Sequence, residues 1–410
     1  MTTRPRRHIR LALAASVALA LSACGGGGFD DGGEPEPQAG PAELTVLIGS
    51  SGPAETDAVT AAAAAWAEES GNSAEVTAAQ DLNQQLSQGF AAGSPPDVFY
   101  VSSDLVASYA ENGSLEPYAG DLSNADDFYP NLRDAFTVDG EFYCAPKDFS
   151  TLSLIINTDS WAAAGLTDED IPTSWEELGA VAQQLTTADQ AGLTTSTEYQ
   201  RLGAFMAQAG GGLVTDDEAT ADSPENAEAL EYVQSLVDDG SWRFAADLDA
   251  GWAGEAFGKG LAAMTIEGNW IAGAMAGDYP DINYQVAPLP EGPAGPATLS
   301  FTNCWGIAAE SDNIAAATEL VEFLTSSEQQ LEFASAFGVI PSVESAAEQW
   351  RTDFPQFVPF LDQLEVAATV PNQVGVSDVL ADLNAQLEGL ASGDPQAILE
   401  STQANLEAIL

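Results

Sequence analysis

From residue 44 the chain alternates β-forming runs with helical ones, and that alternation constrains its fold more than any other feature. ELTVLIGSSG is a run of β-formers ending in small turn residues. AETDAVTAAAAAWAEES behind it predicts a helix, with Gly71 placed to stop it. SAEVTAA predicts a short strand, the polar stretch around DLNQQLSQGFAAG a helix, and SPPDVFYVSSD a buried strand entered through prolines. Strand alternating with helix implies an α/β fold with a largely parallel sheet. TVDGEFYCAP puts a DG turn between β-formers, and STLSLIINTD predicts a further strand. PTSWEELGAVAQQL opens with Thr173 and has Glu176 three residues later, a capping-box pattern ahead of apolar residues at helical spacing. From about 175 to 280 the text reads as mainly helical. PLPEGPAGPAT reads as a loop joining two bodies, and the end from about 310 is helical again, interrupted at Gly338 to Pro341.

The first 23 residues follow other rules. MTTRPRRHIR carries four arginines and no acid, and the apolar stretch from Leu11 to Ala20 is shorter than the roughly 20 residues a membrane-spanning helix needs. A basic start, a short apolar run and small residues at the end predict a secretory signal over 1–23. Leu21-Ser22-Ala23-Cys24 resembles a bacterial lipobox, in which the cysteine is acylated and becomes the first mature residue; the alternative is an ordinary signal with Cys24 nearby. Residues 24–43, rich in Gly, Pro and acid, read as a flexible tether. The expectation is an exported chain held at the outer face of the cell membrane, touching it through the N-terminal lipid only.

With 63 acids against 10 bases the formal charge is −53. Such a surface repels phosphate backbones and anionic headgroups, which excludes nucleic acid as a partner. It also suggests a salty habitat, where counterions screen self-repulsion; compositional bias of the lineage is the alternative. The only histidine, His8, leaves with the signal. That excludes Ser-His-Asp and Cys-His catalysis and argues against a zinc or copper site, so no cofactor is expected. In an oxidising compartment Cys144 and Cys304 are expected to form one disulfide, with two buried thiols as the alternative.

Several segments, in order and spacing, resemble the extracellular solute-binding proteins of ABC transporters, in the carbohydrate-binding family that includes maltose-binding protein. AFGKGLAAMTIEGNW, residues 256–270, matches the family's succession of Phe, Gly-Lys, Ala-Met and Gly-x-Trp. SPPDVFYVSSD, YCAPKDFSTLSLIINTDSWAAAGL and the PTSWEEL helix start add to it. The resemblance implies an α/β fold of type II, two hinged lobes with a ligand cleft between them. Lobe one would hold 44–148 and 291–337, and lobe two 149–290 and 338–410. It implies a monomer, not an enzyme, that hands a sugar or short oligosaccharide to the transmembrane subunits of a permease.

A neutral sugar offers C–H faces for aromatic rings and hydroxyls for fixed polar groups, best met by ionised carboxylates. Trp270 matches the family's ligand tryptophan, with core packing as the alternative. Asp104, beyond the DVFYV strand, is expected against sugar hydroxyls or as a helix N-cap. Ser50 and Ser51 are expected at the ligand or in plain turn chemistry. Asp148 and Phe149 would lie at the first lobe crossing, where Lys147 would pair with Asp148 or another acid. Glu198 stands where the family offers a sugar-contacting acid, and Trp305 either lines the cleft or packs on the disulfide. Three other classes stay open: a secreted glycoside hydrolase, since the acids could supply a catalytic pair; the same scaffold binding a polyamine or other cation; and a lipid-anchored adhesin.

Overall fold

A computed structural model of the protein describes residues 40–215 and 217–410. The signal, Cys24 and nearly all of the tether lie outside the described residues.

Two five-stranded sheets organise the chain. In the first the order is Ser73–Ala78, Glu43–Ile48, Val98–Ser102, Asn303–Ile307, Ala145–Pro146. Its first three strands are parallel, and Asn303–Ile307 runs antiparallel to both neighbours. In the second the order is Trp242–Phe244, Ala191–Thr195, Ala262–Glu267, Ser153–Asn157, Tyr284–Ala287. Here too the first three are parallel and the last two pair antiparallel. The chain leaves the first sheet at Ala145–Pro146 and enters the second at Ser153. It passes through a small third sheet, in which Thr298–Phe301 pairs with Ser150–Thr151 and with Ala367–Thr369. It returns to the first sheet from Thr298–Phe301 into Asn303–Ile307. The fold is therefore two-lobed, α/β as expected.

Each large sheet has its own core. Leu44, Val46, Ile48, Trp66, Phe99 and Ile307 fill the first; Leu154, Ile156, Leu193, Trp242, Met264 and Leu383 fill the second. A third cluster, with Phe149, Ile155, Phe257, Ile271, Ile340 and Phe360, draws on segments next to both. Local chemistry sets the boundaries. The helix Pro53–Ser70 starts on proline and ends where Gly71 takes a φ of 78°, its N–H bonding back to the Ala67 carbonyl. Asp139 and Gly140 both have positive φ between the paired strands Thr137–Val138 and Glu141–Phe142, so the DG turn forms as read. Cys144, directly before the strand Ala145–Pro146, and Cys304, within the neighbouring strand Asn303–Ile307, form a disulfide with their Cα atoms 5.6 Å apart.

Two expectations need correcting. The stretch 175–280 does carry five α-helices, but it also supplies the three parallel strands of the second sheet, which the helical reading passed over. AGLTT and AAMTIE are buried at every position, so they lack the alternation that marks a half-exposed strand. The cap is one residue further on and is not a full capping box: Ser174 is the N-cap, accepting from the Glu177 N–H, while the Glu177 carboxylate accepts from the N–H and hydroxyl of Thr173, the residue before the cap.

Candidate functional site

In open α/β sheets ligands bind outside the carboxyl ends of the parallel strands. Ser50 and Ser51 follow Glu43–Ile48, Asp104 follows Val98–Ser102, Glu198 follows Ala191–Thr195, and Trp270 follows Ala262–Glu267. The links between the lobes run beside the ends that carry Ser51 and Trp270. The Asn269 N–H donates to Ser150 Oγ at 2.9 Å, and its Nδ2 to the Gly338 carbonyl at 2.7 Å. Trp270 meets Phe301 edge-on at 5.6 Å, and next along the chain Thr302 Oγ1 donates to the Asp148 carbonyl at 2.7 Å.

Two cation-centred clusters stand at this junction. In the first, Lys147 Nζ donates to Glu55 Oε1 at 3.2 Å and to Asp148 Oδ2, and lies 4.7 Å from the centre of the Tyr100 ring. Glu55, in the first turn of Pro53–Ser70, also accepts from the Ser51 N–H and hydroxyl, each at 2.7 Å, and from the Tyr100 hydroxyl at 3.0 Å. Burial works against the Glu55 charge, yet Lys147 and the Ser51 hydrogen bonds outweigh it and hold the carboxyl below its usual range. For Asp148 burial prevails over the Lys147 attraction and, with Glu55 nearby, pushes its pKa up. Burial also opposes the Lys147 charge, but the two carboxylates more than compensate and raise its pKa.

In the second cluster Arg201 Nη2 donates to Glu267 Oε2 at 2.8 Å, and Nη1 lies 3.3 Å from Glu198 Oε1. Trp270 Nε1 donates to the same Glu267 Oε2 at 2.7 Å, and the guanidinium carbon lies 5.1 Å from the centre of the Trp270 rings. Burial raises the Glu267 pKa despite Arg201. A Cβ on Gly268 would sit 2.3 Å from the Trp270 ring, so the glycine of Gly-x-Trp is what lets the ring lie close to its own backbone. Trp270 remains 37% exposed, among the largest exposed apolar side chains described. An aromatic face with the Glu198 carboxylate close by, across Arg201, suits a polyhydroxylated ring.

Not every expected residue fits. Trp305 is 1% exposed, its ring edge-on to Tyr100 at 4.8 Å beside the disulfide, so it packs in the first core and offers no platform. Phe149 is likewise 1% exposed, packed at 5.5 Å on Tyr129 in the third cluster; it belongs to the crossing and is core. Ser51 Oγ points back at Glu55, and Ser50 Oγ donates to the Gly52 carbonyl while accepting from Thr56, so turn chemistry commits both hydroxyl protons. Asp104 sits one residue inside the helix Ser103–Glu111, whose N-cap is Ser102. Glu55, Arg201 and Glu267 were not singled out from sequence. A base in so acidic a chain was the one available signal.

Residues 61–357 match the family model described as bacterial extracellular solute-binding protein. The chain belongs to that family. A binding protein of Brucella abortus (strain 2308) is 23% identical over 349 residues, 80% of this chain and 83% of that one. An ABC substrate-binding protein from Listeria monocytogenes, solved in complex with cycloalternan, has a TM-score of 0.79 at 23% identity, covering 90% of this chain and 98% of that chain. The cyclic alpha-maltosyl-1,6-maltose binding protein from Arthrobacter globiformis has a TM-score of 0.77 at 25% identity, covering 90% of this chain and 99% of that chain. Among the described residues no helix is long and apolar enough to cross a membrane.

Proposed function

We propose that the protein captures a neutral oligosaccharide outside the cell for an ABC importer, held to the membrane by a lipid on Cys24. The observation that carries this reading is Trp270: a partly exposed indole at the carboxyl end of a parallel strand, bonded through its N–H to Glu267 and lying against Arg201, which pairs with Glu198. The Listeria protein, solved with cycloalternan, and the Arthrobacter cyclic alpha-maltosyl-1,6-maltose binding protein support that ligand class. Sugar enters between 44–148 with 291–337 and 149–290 with 338–410, the lobes close, water leaves, and the closed form docks on the permease. Closure requires that sugar bind the closed state more tightly than the open one. No bond is made or broken.

A thermal-shift screen of the soluble chain from residue 24, with Cys24 replaced by serine, against linear and cyclic gluco-oligosaccharides tests this. A ligand present at 100 times its Kd should stabilise by about 2.7 kcal/mol. Replacing Trp270 by alanine should weaken the best sugar about 30-fold in calorimetry, the loss expected for a central aromatic anchor. Release of shorter sugars would make the protein a hydrolase instead. Because each cluster holds one cation and two carboxylates, a cationic ligand is the second reading. It predicts affinity that collapses as salt rises.

A further inference from the structure

The second cluster has a buried ion pair whose cost needs a purpose. Six bases lie beyond residue 24, and Arg201 is one of them, buried against a Glu267 with no exposed surface. Such a pair is commonly no better for stability than apolar side chains of the same volume. What it does hold is the indole. Glu267 Oε2 accepts from Trp270 Nε1 and from Arg201 Nη2, so ring and guanidinium are fixed to one oxygen atom, itself on the last residue of a central strand. The guanidinium lies against the ring at 5.1 Å, and Glu198 steadies its other nitrogen.

We propose that Arg201 and Glu267 are positioning residues that lock the Trp270 ring in its binding pose before ligand arrives. This rests on the reading of Trp270 as a sugar platform. A locked ring spares the ligand the cost of immobilising it, which makes binding about 10-fold tighter than to a free one.

The paired variant Arg201→Met with Glu267→Met removes both charges and leaves no buried ion unpaired. The expected result has three parts. Its melting temperature stays within a few degrees of wild type. The Trp270 indole N–H, assigned by its loss in Trp270→Phe, falls from an order parameter near 0.85 to below about 0.6 in 15N relaxation without ligand. Affinity for cyclic alpha-maltosyl-1,6-maltose or maltotriose drops about 10-fold, yet the pair costs nothing further when Trp270 is already alanine. If the paired variant fails to fold, Arg201→Lys, which keeps the charge and loses the flat fork, takes the same measurements with the same expectations for the indole and the affinity. An indole that stays rigid, or losses that multiply in the Trp270→Ala background, would overturn the proposal. If Trp270→Ala leaves sugar affinity untouched, the platform reading falls, while the relaxation data still decide whether the pair holds the ring.

Discussion

A lysine buried beside two carboxylates gives the site its acid sensitivity. Glu55 has a folded-state pKa below its ordinary 4.5, because Lys147 and Ser51 favour its charge more than burial opposes it. Its contribution to stability is therefore fully present above pH 4.5 and is lost as the pH falls through the lowered value. Asp148 runs the other way: its raised pKa lets the folded state take up a proton first, so its charge costs stability once the pH is above that value. Replacing Glu55 by glutamine should destabilise by about 3 kcal/mol at pH 7. The gap to wild type should narrow steadily below pH 4.5, as read from urea midpoints across pH; a gap of constant size would contradict this assignment. At this scale the sequence announced Trp270, because a motif of fixed spacing carries it. It did not announce Glu55, Arg201 or Glu267, whose partners lie 92 and 66 positions away along the chain. The sequence left Trp305 open between cleft and disulfide and placed Phe149 at the crossing without marking it as core, because an aromatic near a cleft and one beneath it have the same local text.

Elements were most legible where the backbone needed a special residue. Gly71, the Asp139-Gly140 turn and the Gly338 stop all take positive φ, and each was visible as punctuation. The strands Ala191–Thr195 and Ala262–Glu267 were hidden, since burial on both faces removes alternation and small residues replace β-branched ones. Gly192 shows what such a strand demands. A Cβ there would lie 1.9 Å from the Ala182 carbonyl oxygen, on the helix Trp175–Leu185 packed over it. Replacing Gly192 by alanine should therefore push helix from sheet and destabilise by about 3 kcal/mol. An unchanged urea midpoint would mean the helix sits further off than described.

At the scale of the whole molecule, charge and architecture act separately. A net charge of −53 must repel itself. Raising sodium chloride from about 0.05 M to about 1 M, where screening acts within roughly 3 Å, should raise the melting temperature. Affinity for a neutral sugar should change by no more than about twofold over the same range, checked by calorimetry. The disulfide has another consequence. Cys144 directly precedes Ala145–Pro146 and Cys304 lies in Asn303–Ile307, so the bond bolts together the two chain segments from which both crossings depart. Strands bolted side by side cannot slip lengthwise past each other. The links to the second sheet therefore leave from a base whose two segments keep one register, whatever the links beyond it do.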